Sequence, residues 1–180
     1  MGAAAEPLID PFGRRVRDLR ISVTDRCNLR CRYCMPAEGL DWVPRADLLT
    51  FEEITRVARV CVERFGFSGI RLTGGEPTVR AHLPRLVAML SELRAGSGSG
   101  ALDLALTTNG TSFTLLADEL RRAGLNRVNV SCDSLRRDRF EAITRRDALD
   151  QVLEGIEAAV AAGFSPVKVN CVLERGVNDD

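Results

Sequence analysis

Cys27, Cys31 and Cys34 crowd three soft ligands into one eight-residue run, Cys27-Asn28-Leu29-Arg30-Cys31-Arg32-Tyr33-Cys34. A structural zinc site closes with four protein ligands, and ordinary cubane iron–sulfur clusters take four thiolates. A compact set of three therefore holds a metal centre while leaving one coordination position open for chemistry. Zinc needs a fourth ligand, and the only histidine, His82, is far away in sequence beside an expected helix start. A disulfide reading leaves one thiol unpaired and requires an oxidising compartment; no charged-then-apolar signal segment precedes the cysteines. A three-thiolate iron–sulfur site fits the pattern best, with a non-catalytic zinc-binding module as the alternative from another functional class.

The elements that must position this loop follow from periodicity. Leu19 to Val23 reads as a first strand leading into the cysteines, which places them at a strand's C-terminal end. Thr50 and Glu53 have the spacing of a capping box, and Ile54, Val57, Val60 and Cys61 mark one face of a helix running to about Phe65, with Cys61 in the core. Gly69 to Thr73 is a second strand ending in Gly74-Gly75-Glu76-Pro77, followed by a helix from Leu83 to Arg94 and a Gly/Ser connector at 96–100. Strands are expected from Ala101 to Thr107, Arg127 to Ser131 and Val167 to Leu173, and helices near Leu115 to Ala123, Asp138 to Thr144 and Leu149 to Ala162. Strands alternating with helices predict an α/β fold with a parallel sheet, and polar or glycine-rich strand tips are where a (β/α) barrel carries its site. A complete barrel takes about 250 residues. The expectation is a partial barrel, truncated after its fifth strand, with unpaired strand edges.

Composition narrows the classes. The chain has 180 residues, 45% of them hydrophobic and 28% charged, which suits one substantial soluble core. No apolar run reaches the ~20 residues of a membrane span, and the cytoplasm is the default expectation. Twenty-five basic residues balance 25 acidic ones, so nothing draws the whole molecule to nucleic acid or to an anionic membrane. Lys168 is the single lysine among those 25 basic residues. It is either one solvated side chain or a compact ammonium required at one place. Cys132 and Cys171 show no partner pattern and read as packed thiols.

The C-x3-C-x2-C spacing with Tyr33 before the third cysteine, together with Gly74-Gly75-Glu76-Pro77, resembles the signature of the radical S-adenosylmethionine enzymes, whose fold is a partial or full (β/α) barrel. Glycines without side chains also suit close approach of backbone carbonyls to an ammonium. The strings Arg17 to Cys27, Cys34-Met35-Pro36, Arg71 to Pro77, Thr107-Thr108-Asn109-Gly110, Asn129-Val130-Ser131 and Lys168-Val169-Asn170 narrow this further. From about Phe12 onward they resemble, in order and spacing, the GTP 3′,8-cyclases of molybdenum cofactor biosynthesis. The resemblance implies that Cys27, Cys31 and Cys34 hold a [4Fe–4S] cluster, that Tyr33, Gly75 and Ser131 meet S-adenosylmethionine, and that Arg20, Arg71, Thr107 and Lys168 meet GTP. Three cations and a hydroxyl on strand ends suit a triphosphate in a chain of zero net charge; alone, the arginines could pair with carboxylates, and Thr107 and Ser131 could cap helices. The implied reaction removes the C3′ hydrogen of the GTP ribose with a 5′-deoxyadenosyl radical and closes C3′ onto C8, giving 3′,8-cyclo-7,8-dihydro-GTP. The implied partners are an electron donor for the cluster and the next pathway enzyme, which forms cyclic pyranopterin monophosphate; a homodimer is also in view. The family's second [4Fe–4S] cluster, on a C-terminal cysteine triplet, has no counterpart in this sequence and is expected only in a full-length parent. Another radical S-adenosylmethionine maturase is the nearest alternative enzyme.

Overall fold

The computed structural model describes residues 6–94 and 101–179. The connector expected at 96–100 lies outside the described residues. Five parallel strands, β1 (Asp18–Ser22), β2 (Gly69–Thr73), β3 (Asp103–Thr108), β4 (Arg127–Ser131) and β5 (Val167–Asn170), form one sheet in the order β1-β2-β3-β4-β5. Five helices alternate with them: α1 (Phe51–Arg59), α2 (Leu83–Ser91), α3 (Ala117–Arg122), α4 (Arg137–Thr144) and α5 (Leu149–Ala161). Sequential order means that each crossover joins neighbouring strands, and right-handed crossovers of that kind lay their helices on a single side, as in a barrel wall.

The register splits the sheet into two chemically different faces. Leu19 aligns with Ile70 and Ile70 with Leu104, while Ile21 aligns with Leu72, Leu72 with Leu106 and Leu106 with Val128. From Ile70 to Val128 these side chains are almost fully buried in the core shared with Ile54, Leu86, Leu120, Phe140 and Val152 of the helices. The intervening residues point the other way because strand side chains alternate. Arg20 aligns with Arg71 and Arg71 with Ala105; two residues further along β3, Thr107 aligns with Asn129 and Asn129 with Lys168. One face is thus hydrophobic cement, and the other is a polar wall.

Several boundaries differ from the sequence expectation for identifiable reasons. The Thr50–Glu53 capping box forms as expected, with Glu53 N donating to Thr50 Oγ1 (3.2 Å) and Thr50 N to Glu53 Oε2 (2.8 Å), but past Arg59 the helix continues as a π-helical turn, Val60–Arg64. There Cys61 is half-buried against the core. The expected third strand begins late because Ala101 forms an isolated antiparallel bridge to Arg94, and α2 stops at Ser91 instead of Arg94. The helix expected from Leu115 is a short 3-10 turn, Phe113–Leu115, followed by α3. β5 stops at Asn170 rather than Leu173 because side chains take over the ladder: Val172 N donates to Asp133 Oδ1 (2.9 Å), and Asn178 Nδ2 donates to the Val172 carbonyl (2.9 Å).

Candidate cluster and substrate site

The cysteine loop is fixed at its start by backbone contact with the β2 strand end. Val23 N donates to Thr73 O (2.9 Å), Gly75 N to Thr24 O (2.8 Å) and Glu76 N to Arg26 O (2.8 Å). A Cβ on Gly75 would lie 2.3 Å from Asp25 O and 2.4 Å from Arg26 O, so only glycine admits this approach. That is a packing requirement additional to the ligand role suggested by the sequence, and exposed Gly75 stays at the surface of the strand-end loops. The adjacent Glu76 side chain is only 1% exposed. Its carboxylate accepts from Thr78 N (3.0 Å), Thr78 Oγ1 (2.6 Å), Thr108 Oγ1 (2.7 Å) and Asn109 N (2.6 Å), which ties the ends of β2 and β3 together.

Beyond Cys27 the loop is clamped by α4 and its C-cap. Arg30 N and Arg32 N donate to Thr144 O (3.0 Å) and Ile143 O (2.9 Å), and Arg145 Nη1 reaches Arg30 O (3.1 Å) and Met35 O (2.9 Å). The Cys31 carbonyl accepts from both Cys34 N and Met35 N (2.9 Å each), folding the second and third cysteines into one turn. Asn109 Nδ2 donates to Asn28 Oδ1 (2.8 Å), Asn28 Nδ2 to Thr111 Oγ1 (2.7 Å) and Thr111 Oγ1 to Asn109 Oδ1 (2.7 Å), a closed circuit that also brings Asn109 Nδ2 to 4.0 Å from Cys27 Sγ. Tyr33 donates its hydroxyl to Asp133 Oδ2 (2.6 Å), joining the cysteine loop to the end of β4.

Electrostatics single out two of the thiols, Cys27 and Cys31. Burial pushes the Cys31 thiol up to about 11, helped by Cys27, Asp133 and Cys34 and opposed by a hydrogen bond with Tyr33. Burial also raises Cys27, reinforced by Glu76 and Cys34 and opposed by a hydrogen bond from Leu29 and the Arg30 charge. Tyr33 is raised by burial and by its bond to Asp133, which keeps it a neutral donor. Thiolates this close destabilise one another unless a cationic centre binds them together. Among the described residues, no three His, Cys, Asp or Glu side chains converge closely enough for a single metal ion. A cubane does not require such convergence, because each thiolate takes a different iron. The donor set fits a cluster.

The polar sheet face gathers Arg20, Arg71, Thr107, Lys168 and Ser131, with Cys27, Cys31, Cys34, Tyr33 and Gly75 on the loops that follow the same strands. Arg20 Nη2 contacts Thr73 Oγ1 (3.4 Å), and the Asn129 carboxamide orients its oxygen toward Arg71 Nη1 (2.6 Å) and its nitrogen toward Val128 O (3.3 Å). At the strands' N-terminal ends Arg127 pairs with Asp103, with Nε to Oδ1 at 2.9 Å. Arg20 and Lys168 are exposed, whereas Arg71 and Thr107 are half-buried. Cys132 is buried as expected, but Cys171 is exposed rather than packed, since it follows edge strand β5. Asn28, Asn109, Asn129 and Asp133 carry the site's hydrogen bonds without having been singled out in the sequence. Three of them sit inside strings that stood out there, and Asp133 follows the β4 string by two residues.

The sequence profile of the radical SAM superfamily matches residues 21–180. The chain belongs to the radical SAM superfamily. Membership implies a [4Fe–4S] cluster and S-adenosylmethionine, and the loop after β1 carries three thiols, half-buried Cys27 and Cys31 and exposed Cys34, whose chemistry suits such a cluster. The chain is 55% identical over 179 residues to a protein of Acidothermus cellulolyticus named GTP 3′,8-cyclase, covering 97% of this chain and 48% of that one. It is 49% identical over 172 residues to a GTP 3′,8-cyclase of Corynebacterium glutamicum, covering 96% and 45%. The chain thus spans about half the length of the curated relatives it matches. The fold is similar to that of HydG, a maturase of the [FeFe]-hydrogenase, with a TM-score of 0.68 at 16% identity over 86% of this chain and 34% of that one. No helix among the described residues is long and apolar enough to cross a membrane.

Proposed function

We propose that this radical SAM chain is the cluster-bearing part of a GTP 3′,8-cyclase, a lyase that converts GTP to 3′,8-cyclo-7,8-dihydro-GTP in the first step of molybdenum cofactor biosynthesis. The observation that carries the reading is the shared face of Arg20, Arg71, Thr107 and Lys168, four residues spread over four strands that the register brings to one polar wall beside the cysteine loop. The names of the curated relatives support the same substrate.

In this reading Cys27, Cys31 and Cys34 hold the cluster, and Tyr33, Gly75 and Ser131 contact S-adenosylmethionine. The bound pair supplies a one-electron cleavage that yields the agent for removing the C3′ hydrogen. Arg20, Arg71 and Lys168 neutralise the triphosphate, and Thr107 offers a neutral hydroxyl, so that the ribose is held in a single orientation. Asn129 turns the Arg71 guanidinium, and the fully bonded Glu76 carboxylate keeps the strand ends from moving as substrate arrives. Residues 1–180 form the radical SAM core. A second [4Fe–4S] cluster belongs to a region of the full-length parent, an electron donor and the enzyme forming cyclic pyranopterin monophosphate are partners, a homodimer is compatible, and the cytoplasm is the location.

Anaerobic titration with GTP tests the reading. The cluster-bearing protein should bind GTP, and guanosine should bind about tenfold or more weakly because it lacks the groups that the three cations meet. Equal affinity for the two ligands, or no GTP binding, overturns it.

A further inference from the structure

A cavity of about 390 Å3 lies between the segment 45–51 and the turn 79–82, and none of its lining residues belongs to the polar sheet face. Its walls carry Arg26, Arg45, Arg80 and His82 above an apolar floor that includes Leu48 and Phe51. No carboxylate is among the lining residues. Among the described residues, none of the three arginines forms an ion pair. In a chain with equal numbers of acidic and basic residues, three guanidiniums converging on one concavity is a concentration of charge without local balance.

Arg80 is the fixed member. It donates to the carbonyls of Val23 and of Leu49 (2.5 Å for the latter), and its guanidinium lies 4.8 Å from the Phe51 ring centroid. Its carbonyl partners are neutral, so its charge stays uncompensated; burial and then the neighbouring Arg45 push this guanidinium below its ordinary value. Arg26 and Arg45 are exposed and able to close on a guest, while His82, the N-cap residue of α2, brings the positive end of that helix to the rim without a side-chain cap of its own. A cation braced on an aromatic ring, two exposed ones and an imidazole make a receptor for several oxygens of one anion.

We propose that this cavity is a second anion site, separate from the polar sheet face, that takes a phosphate-bearing small molecule. The apolar floor admits a phosphate ester as well as the free ion. Its wall includes Thr24 and Arg26, the residues that lead into Cys27 and carry the backbone contacts with Gly75 and Glu76, so an occupant braces the start of the cysteine loop.

The test uses pyrophosphate and citrate as probes, titrated calorimetrically into the anaerobic cluster-bearing protein. Arg71→Ala combined with Lys168→Ala weakens phosphate binding at the sheet face, where Arg20 is the cation left, and pyrophosphate should still bind this double variant. Adding Arg45→Ala or Arg26→Gln to it should weaken that binding about tenfold each, with iron content unchanged. Loss of binding in the Arg71/Lys168 variant, or affinity insensitive to Arg45→Ala and Arg26→Gln, overturns the site; tighter binding of citrate than of pyrophosphate overturns the phosphate class. Failure of GTP binding in the wild type is a separate result that bears only on the sheet face, because the cavity is read through Arg45→Ala and Arg26→Gln, which leave that face intact.

Discussion

At the scale of single residues, the three thiols answer to opposing demands. Burial and the neighbouring negative groups raise Cys27 and Cys31 and hold them protonated in the free loop, and a cluster needs them as thiolates, so loading releases protons. The sign follows directly: the raised thiol values oppose loading near neutrality, and the opposition falls as pH rises toward the value of about 11 for Cys31. Iron incorporation at limiting iron and sulfide should therefore be greater at about pH 9 than at about pH 7, and a pH-independent yield counts against thiolate ligation. Cys31→Ala should abolish both the cluster and reductive cleavage of S-adenosylmethionine; full iron content in that variant would sink the assignment. Lys168 shows how exposure changes an expected magnitude. A desolvated charge pair loses about 2–5 kcal/mol when one partner is truncated. Here Lys168 is exposed on edge strand β5, so solvent screening cuts its contribution in this chain to about 1 kcal/mol. Lys168→Ala should weaken GTP binding by that amount without changing iron content, and unaltered affinity removes the residue from the substrate face.

Elements hold these residues in place through backbone contact, and Gly75 makes the close approach nearest the cysteine loop. An added methyl at 2.3 Å from Asp25 O meets backbone rather than a flexible side-chain tip, so the two strand-end loops must separate. Gly75→Ala should cost about 1–3 kcal/mol of stability and reduce cluster retention together, as thermal unfolding and iron analysis would show. Retention and stability at wild-type levels would mean that the loops do not depend on this approach. The same distinction between local and long-range contact explains what the sequence revealed. β4 was legible to the residue and the α1 start to its capping box, because alternation and the Thr50–Glu53 spacing are local signals. The alternation of β/α units was legible for the same reason, and with it the placing of the cysteines after β1. The π-helical end of α1 and the early stop of β5 were not, since the latter depends on Asp133 and Asn178 replacing ladder hydrogen bonds from elsewhere in the chain. The Tyr33–Asp133 and Asn28–Asn109 bonds join residues 100 and 81 positions apart, a separation that no periodicity encodes. The proposed roles of Arg20, Arg71, Thr107 and Lys168 rest on resemblance; the strand register sets the four on one face, a placement that spacing along the chain does not encode.

For the whole molecule, the decisive property is that the sheet is a wall rather than a closed cylinder. β1 and β5 are its edges, and Val169, Val172 and Leu173 at the β5 side are more than half exposed among the described residues. The cysteine loop is braced by β2, β3, α4 and the end of β4, all within this chain, whereas the polar sheet face opens at Lys168. The residues proposed for S-adenosylmethionine, Tyr33, Gly75 and Ser131, all lie on or beside these braced segments. Holding a nucleotide so that one ribose hydrogen is aligned, with water and stray hydrogen donors excluded, demands enclosure that an open wall does not give. These unequal demands separate the two activities. The anaerobically reconstituted chain of 180 residues should cleave S-adenosylmethionine slowly on reduction, releasing 5′-deoxyadenosine, without converting GTP to its 3′,8-cyclised product. Mass spectrometry of the quenched reaction reads both products at once. Cyclised GTP formed at the rate of a full-length relative would show that the open wall is sufficient, and absence of 5′-deoxyadenosine from a protein with full iron content would show that the cysteine loop is not complete within this chain.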